Sequence, residues 1–296
     1  MPSTRLLKRI VALAIVVGVG WKNSALADGV KIRSAATFYA SFDKRLDADF
    51  AGGSKTPRVR YDTSQRGVYE IRDEIPNTFK IVAANGVHGG ALSATAALPN
   101  RGRLFFAADD NISFRPQGWG GTFSVWINID PNRQLKTPFC DPVQITEKRS
   151  SDGAVWFDFP DTKPRDLRFG AFPALAAGDT AIRETSPRAP IVTVRDIGFR
   201  AGDWHHIAMT WSDFDSGKAD AEVDCFIDGK SVGRLSKRRI AMNWRLEKTG
   251  IYFAVNHIGL IDELAIFDRP LSAVEIRELH GDAGLLARLK TAQKPK

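Results

Sequence analysis

Cysteine is scarce in this chain of 296 residues: Cys140 and Cys225 are the only two. Two thiols cannot build a disulfide scaffold or a four-thiolate zinc site. As an even pair they leave two alternatives open, one bridge or two buried free thiols. Bridging needs Cα atoms within about 7 Å, a distance that sequence does not set. No run approaches the ~20 consecutive apolar residues that span a bilayer, which excludes a bundle of membrane-spanning helices. Composition, 43% hydrophobic against 26% charged, excludes long disorder. What the chain has in quantity is short extended runs and the residues that turn them.

The first 27 residues carry no acid. Arg5, Lys8 and Arg9 precede the apolar run from Ile10 to Gly20, and Ala25-Leu26-Ala27 follows. A basic start, a short apolar core and a small-x-small triplet are the parts of a secretory signal peptide cut after Ala27. The mature protein is then expected to be secreted, or held in the periplasm or cell envelope, with no transmembrane span. An uncleaved anchor is the alternative, and the run is short for it. Without residues 1–27 the chain keeps 38 Lys and Arg against 34 Asp and Glu, a net charge of +4 in place of +8. Half of the apparent basicity belongs to the targeting segment, so nucleic acid is disfavoured as a partner.

Along the mature chain, Thr122–Ile129 alternates polar and apolar side chains and stops at Asp130-Pro131, the pattern of a strand and its end. Val143–Thr146, Ala154–Phe159, Leu167–Phe172, Trp204–Trp211, Val223–Ile227, Ile251–Val255 and Ile261–Phe267 read as further short strands. Asp228-Gly229-Lys230 is a turn signal between two of them. Helical period appears only at the end, where Ser272 and Glu275 form a capping-box signature for Ala273–His280. Many short strands and one late helix predict an all-β sandwich or barrel in a single domain over residues 38–280. The Pro- and Ala-rich stretch from Pro173 to Pro190 reads as a long loop, and residues 281–296 as a basic tail.

Three groups of residues carry a resemblance. The first is Gly202-Asp203-Trp204-His205-His206-Ile207-Ala208, followed by Val223–Lys230 with its Asp-Gly-Lys turn. The second is Ile261-Asp262-Glu263, then Leu271-Ser272 and Glu275-Ile276. The third is looser: Tyr39–Asp43, Gly86–Leu92 and the Thr-apolar-Ser-x-Trp strand at Thr122. Together they resemble the laminin-G-like, concanavalin A-like lectin/glucanase family over about 240 residues. The resemblance implies a jelly roll of two antiparallel sheets with a short C-terminal helix. It also implies a structural Ca²⁺ where the opening strand meets the closing one, with Asp43, Asp262 and a carbonyl from Gly89 as its ligands. Plain hydrogen bonding of Asp43 and Asp262 to turn amides is the alternative.

Strand alternation constrains the other candidates. Trp204, His206, Ala208 and Thr210 share one face of their strand and His205, Ile207, Met209 and Trp211 the other, so the adjacent histidines cannot chelate one ion together. Val223, Cys225 and Ile227 are expected in the core, with Phe226 as the more exposed aromatic. Hydrolases of this fold carry Glu-x-Asp-x-Glu or Glu-x-Asp-x-x-Glu on one strand. Glu222-Val223-Asp224 continues into Phe226 and Ile227 where those patterns require the second Glu, so the pair is missing there. The loop Asp213–Gly217 lacks a full calcium-loop pattern and reads as a solvated turn. Lys237-Arg238-Arg239 is a basic cluster, either a site for acidic glycans or a solvated face.

The expected function is a secreted, non-catalytic binding module for carbohydrate or for a surface partner such as a glycoprotein. Trp119, Trp156, Trp211 and Trp244 are its candidate stacking platforms. A hydrolase or lyase with dispersed acids, and a structural envelope adhesion protein, stand as alternatives. One prediction belongs to the sequence alone: N-terminal sequencing of exported protein should read from Asp28. A read from Met1 or Pro2 would revive the anchor.

Overall fold

The computed structural model describes residues 29–65 and 68–288; the signal-peptide reading lies outside them. Seventeen strands follow in order: β1 (Ala36–Ala40), β2 (Phe50–Ala51), β3 (Arg58–Asp62), β4 (Tyr69–Arg72), β5 (Phe79–Val82), β6 (Ala91–Ala94), β7 (Arg103–Ala107) and β8 (Trp119–Asn128). After the single-turn helix α1 (Pro131–Gln134) come β9 (Cys140–Arg149), β10 (Asp152–Phe159), β11 (Leu167–Phe172), β12 (Ile191–Val194) and β13 (Trp204–Phe214). Then come β14 (Ala221–Ile227), β15 (Lys230–Arg238), β16 (Gly250–Val255) and β17 (Gly259–Phe267), closed by helices α2 (Ala273–Gly281) and α3 (Leu285–Arg288).

They form two antiparallel sheets. The nine-stranded sheet runs β15-β14-β13-β8-β17-β1-β2, with β6 and β5 attached to β17; the eight-stranded sheet runs β12-β11-β10-β9-β16-β7-β3-β4. Each expected strand exists, several longer than the alternation indicated. Inward residues at period two, among them Phe123, Val125, Ile127, Ile207, Met209, Val223 and Cys225, meet Val143, Ile145, Phe157 and Phe169 of the facing sheet in one core. The two thiols are free and buried, which decides the alternative left open above.

The nine-stranded sheet is also buried on its outer face. Helix α2, Leu271 just before it and the helical residues 29–35 lay Ile32, Leu271, Ile276 and Leu279 on Tyr39, Ala208, Phe226 and Ala265. Phe226 is therefore buried, 4% exposed, against the expectation of an exposed ring: alternation placed it on the outer face, and a helix covers that face. The capping box at Ser272 and Glu275 forms as its spacing predicts. The loop between β11 and β12 covers Trp156 and Phe172 through Ala189. In the stretch expected as tail, Leu286 of α3 is buried in the same helical layer. Among the described residues no helix is long and apolar enough to cross a membrane.

The two motif histidines separate as alternation requires. His205 stacks on Phe199 at 3.7 Å and pairs through Nδ1 with Asp228 at 2.9 Å. His206 lies beneath α2, its Nε2 2.8 Å from the Ser124 hydroxyl. Burial, then nearby His280, lowers His206 to about 3, and burial lowers His257 to about 4. An unfolded histidine titrates near 6.5, so below about pH 6.5 the unfolded chain takes up protons that the folded chain refuses. Stability should be full above that pH and fall by up to about 1.4 kcal/mol per pH unit per histidine below it. The melting temperature of the wild type should drop faster between about pH 6.5 and 4.5 than that of His206→Asn. Parallel curves would show that His206 is not neutral in the fold.

Candidate functional site

The site is organised by a change of partner along β17. Its first residues, Gly259–Ile261, pair with β6, and Leu264–Phe267 pair with β1 on the same edge. Between them the ladder to β8 shifts register over Asp262–Ala265, and Glu263 takes a positive φ of 53°. This bulge defeats strict alternation, so Asp262 and Glu263 are both buried toward the outer side. The backbone amides near this gap cannot all find ladder partners, and carboxylates take over. Asp43 Oδ1 accepts from Gly90 N at 2.8 Å, Asp262 Oδ2 from His88 N at 3.3 Å, and Asp262 Oδ1 from Glu263 N at 3.0 Å.

The structure therefore brings Asp43, Gly89 and Asp262 to one turn, residues 86–90. Gly89 sits at φ 70°, and a Cβ there would lie 1.8 Å from Asp43 Oδ1, so only glycine fits. Sequence reasoning missed Glu263. Its Oε2 accepts from the Tyr39 hydroxyl at 2.7 Å, while its buried Oε1 has no hydrogen-bond partner among the described residues. His88 Nδ1 approaches that oxygen only to 3.9 Å. Burial, partly offset by the turn amides, raises Asp262 to about 8. Burial and then the neighbouring Asp262 raise Glu263 to about 9. Asp262 and Glu263 thus share a site with too little compensating positive charge, with the Asp43 carboxylate beside them. Among the described residues no cluster of three or more His, Cys, Asp or Glu has the arrangement of a metal centre.

The same turn walls an open cleft of about 610 Å³. Its floor is a cross-strand row: Trp204 of β13 lies opposite Asn128 of β8, Asn128 opposite Leu260 of β17, and Leu260 opposite Ser93 of β6. One pleat away on the same face, His206, Trp126 and Asp262 form the neighbouring row, and there His280 of α2 stacks on Trp126 at 5.5 Å. The helical cover ends at this level, which leaves the Trp204 row open. Asn85 and Gly86 form one wall, and Gln134 and Gly202 approach from the other side.

The four tryptophans expected as platforms lie elsewhere. Trp119, Trp211 and Trp244 are in the inter-sheet core, with Trp119 5.4 Å from Trp211 and 5.5 Å from Trp244. Trp156 is sealed under the β11–β12 loop and stacks on Phe172. None is more than 6% exposed, so none has an open ring face for a sugar. Their neighbours explain them structurally: Trp119 Nε1 donates to Asp215, which also accepts from Met242 N, so the Asp213–Gly217 loop anchors the core. Trp204 heads the Trp-His-His motif, but nothing in that motif shows that its ring stays partly open.

Acidic residues also lie on the eight-stranded sheet, where Asp158 accepts from both Nε and Nη2 of Arg168, and the same Nη2 also reaches Glu184. Burial pushes Asp158 up to about 6, against the pull of that arginine. A second cleft, about 480 Å³, lies on the outer face of the nine-stranded sheet, where Asp224 pairs with Arg234 and Glu275 with Arg269.

Two antiparallel sheets with a covered outer face and a rim cleft make this a lectin-type jelly roll. The chain belongs to the concanavalin A-like lectin/glucanases superfamily, whose sequence profile matches residues 106–277. Among solved structures it is similar to the ligand binding domain of botulinum neurotoxin serotype D in complex with N-acetylneuraminic acid, with 9% identity, a TM-score of 0.53, and 86% of this chain and 52% of that one covered. It is also similar to the binding domain of botulinum neurotoxin DC in complex with rat synaptotagmin II (15%, 0.55, 85% and 52%). A further match is domain 4 of AbnA, a GH43 extracellular arabinanase from Geobacillus stearothermophilus, in complex with arabinotriose (15%, 0.48, 83% and 98%). The chain spans about half the length of the toxin domains, and at these identities the likeness is one of fold. No curated protein sequence matches.

Proposed function

We propose that the protein is a secreted, non-catalytic binding module for carbohydrate. The observation that carries this reading is the open cleft on the rim of the nine-stranded sheet, lined by an indole and by amide and hydroxyl side chains. No Asp or Glu is among its lining residues. Two-carboxylate glycoside hydrolysis therefore has no acid and base at the place where a ligand would sit. A solved structure of the same fold in complex with N-acetylneuraminic acid supports the ligand class by analogy of fold. A glycan array followed by reducing-end assays on each hit tests it. Binding without release of reducing ends is expected. Release abolished by one Asp or Glu substitution would make the protein a hydrolase, and an array without hits would favour an adhesion role.

The second element of the proposal is a structural calcium ion at the 86–90 turn. The unpartnered, buried Oε1 of Glu263 and the undercompensated Asp262 are what a hard divalent cation would satisfy. Asp262 would supply a carboxylate oxygen, Asp43 mainly its main-chain carbonyl, and Gly89 a second main-chain carbonyl. Binding to the folded state alone adds about 2.7 kcal/mol at a hundredfold excess over Kd, a rise of a few degrees in melting temperature. Asp262→Asn should abolish the calcium-dependent part, Asp43→Asn should weaken it less, and magnesium should substitute poorly. A melting curve unchanged between millimolar calcium and excess chelator would leave the two aspartates as turn residues only.

A further inference from the structure

Of the six tryptophans among the described residues, five are buried and engaged with other rings. Trp204 is the exception: it is half-buried, and among the described residues it touches no other aromatic ring and its indole N–H finds no acceptor. A partly exposed indole on the floor of a cleft is an apolar surface with a free donor at its edge, the combination that suits the hydrophobic face and hydroxyl rim of a pyranose.

The polar groups around it are set in a definite sense. Asn128 Oδ1 already accepts from Gly202 N at 2.9 Å, and Gln134 Oε1 accepts from Asp130 N, so each amide turns its NH₂ group free as a donor. Among the described residues the Asn85 side chain and the Ser93 hydroxyl have no hydrogen-bond partner, so both offer donor and acceptor. The second feature is a charge pattern: no lysine, arginine, histidine, aspartate or glutamate lines the cleft, although 26% of the chain is charged. A carboxylated or sulfated ligand entering it would lose hydration without gaining a counter-charge. The cleft volume, about 610 Å³, is in the range of about 300–1,000 Å³ usual for small-ligand sites.

We propose that this cleft is a binding site for neutral saccharides, with Trp204 as the stacking platform and Asn85, Ser93, Asn128 and Gln134 as the hydroxyl readers. The inference rests on the carbohydrate-binding reading above and narrows it to a place and a ligand class. The basic cluster Lys237–Arg239 lies outside the cleft and takes no part.

The test is calorimetry of the full mature chain against two panels. One holds neutral xylo-, arabino-, malto- and chito-oligosaccharides; the other holds sialyllactose, oligogalacturonate and heparin-derived oligosaccharides. Binding is expected in the neutral panel only. Its affinity should change less than about twofold between ~0.05 and ~0.5 M salt, because no ion pair is there to be screened. Trp204→Ala should lower it at least about tenfold, Trp204→Phe less, and Asn85→Ala a few-fold, with melting temperatures checked to exclude misfolding. Neutral-sugar binding that survives Trp204→Ala would overturn the site while leaving the carbohydrate reading standing. Binding confined to the acidic panel, lost at high salt and on Arg238→Ala, would overturn the ligand class. Silence in both panels would remove the carbohydrate reading together with this inference.

Discussion

The nine-stranded sheet must bury both of its faces, and most of the structure follows from that. Its inner face packs on the facing sheet through Phe123, Val125, Ile207 and Met209; its outer face carries Tyr39, Ala208, Phe226 and Ala265, too apolar to be left in water. The helical segments on that side exist as a cover for it, since α2 has only nine residues and is too short to be stable alone. A single short helix cannot cover a sheet of this width. Where α2 ends, at the level of His280, the Trp204 row of the outer face remains open, and that row is the floor of the first cleft.

A second consequence lies at the other wall. Because β17 exchanges β6 for β1 along one edge, its backbone cannot form an unbroken ladder, and the gap is closed by carboxylates on turn amides. Two fully desolvated acids, Asp262 and Glu263, stand there because the bulge lets neighbours in sequence occupy one environment. Gly86 belongs to both features, lining the cleft while a Cβ on it would strike Gly90 O and Asp262 Oδ2. The order of the turn and the shape of the cleft are therefore mechanically one matter.

How much was legible beforehand differs between the two. The strands of the C-terminal half, the capped helix, the separation of His205 from His206 and the inward placement of Val223 and Cys225 follow from period two and local caps, which act over a few residues. The meeting of Asp43, Gly89 and Asp262 was expected only through family resemblance, as they lie up to 219 positions apart. Glu263 could not have been found by alternation, because a bulge is decided by how strands are paired. Phe226 was placed on the correct face and judged wrongly for exposure, since alternation says nothing of what lies over a face.

The tryptophans make the same division plain. Trp119, Trp126, Trp156, Trp204 and Trp211 lie on strands, where side-chain alternation pins each to one face of its sheet, while Trp244 lies in the loop between β15 and β16. Which of those faces would be sealed was decided by tertiary packing: Trp119, Trp211 and Trp244 by the facing sheet, Trp156 by a loop, Trp126 by the end of α2. Trp204 stays open because it is one pleat, two residues along its strand, past the last ring that α2 can reach. Local pattern acts through the side-chain period of a single strand, whereas burial is a property of surfaces brought together from distant parts of the chain.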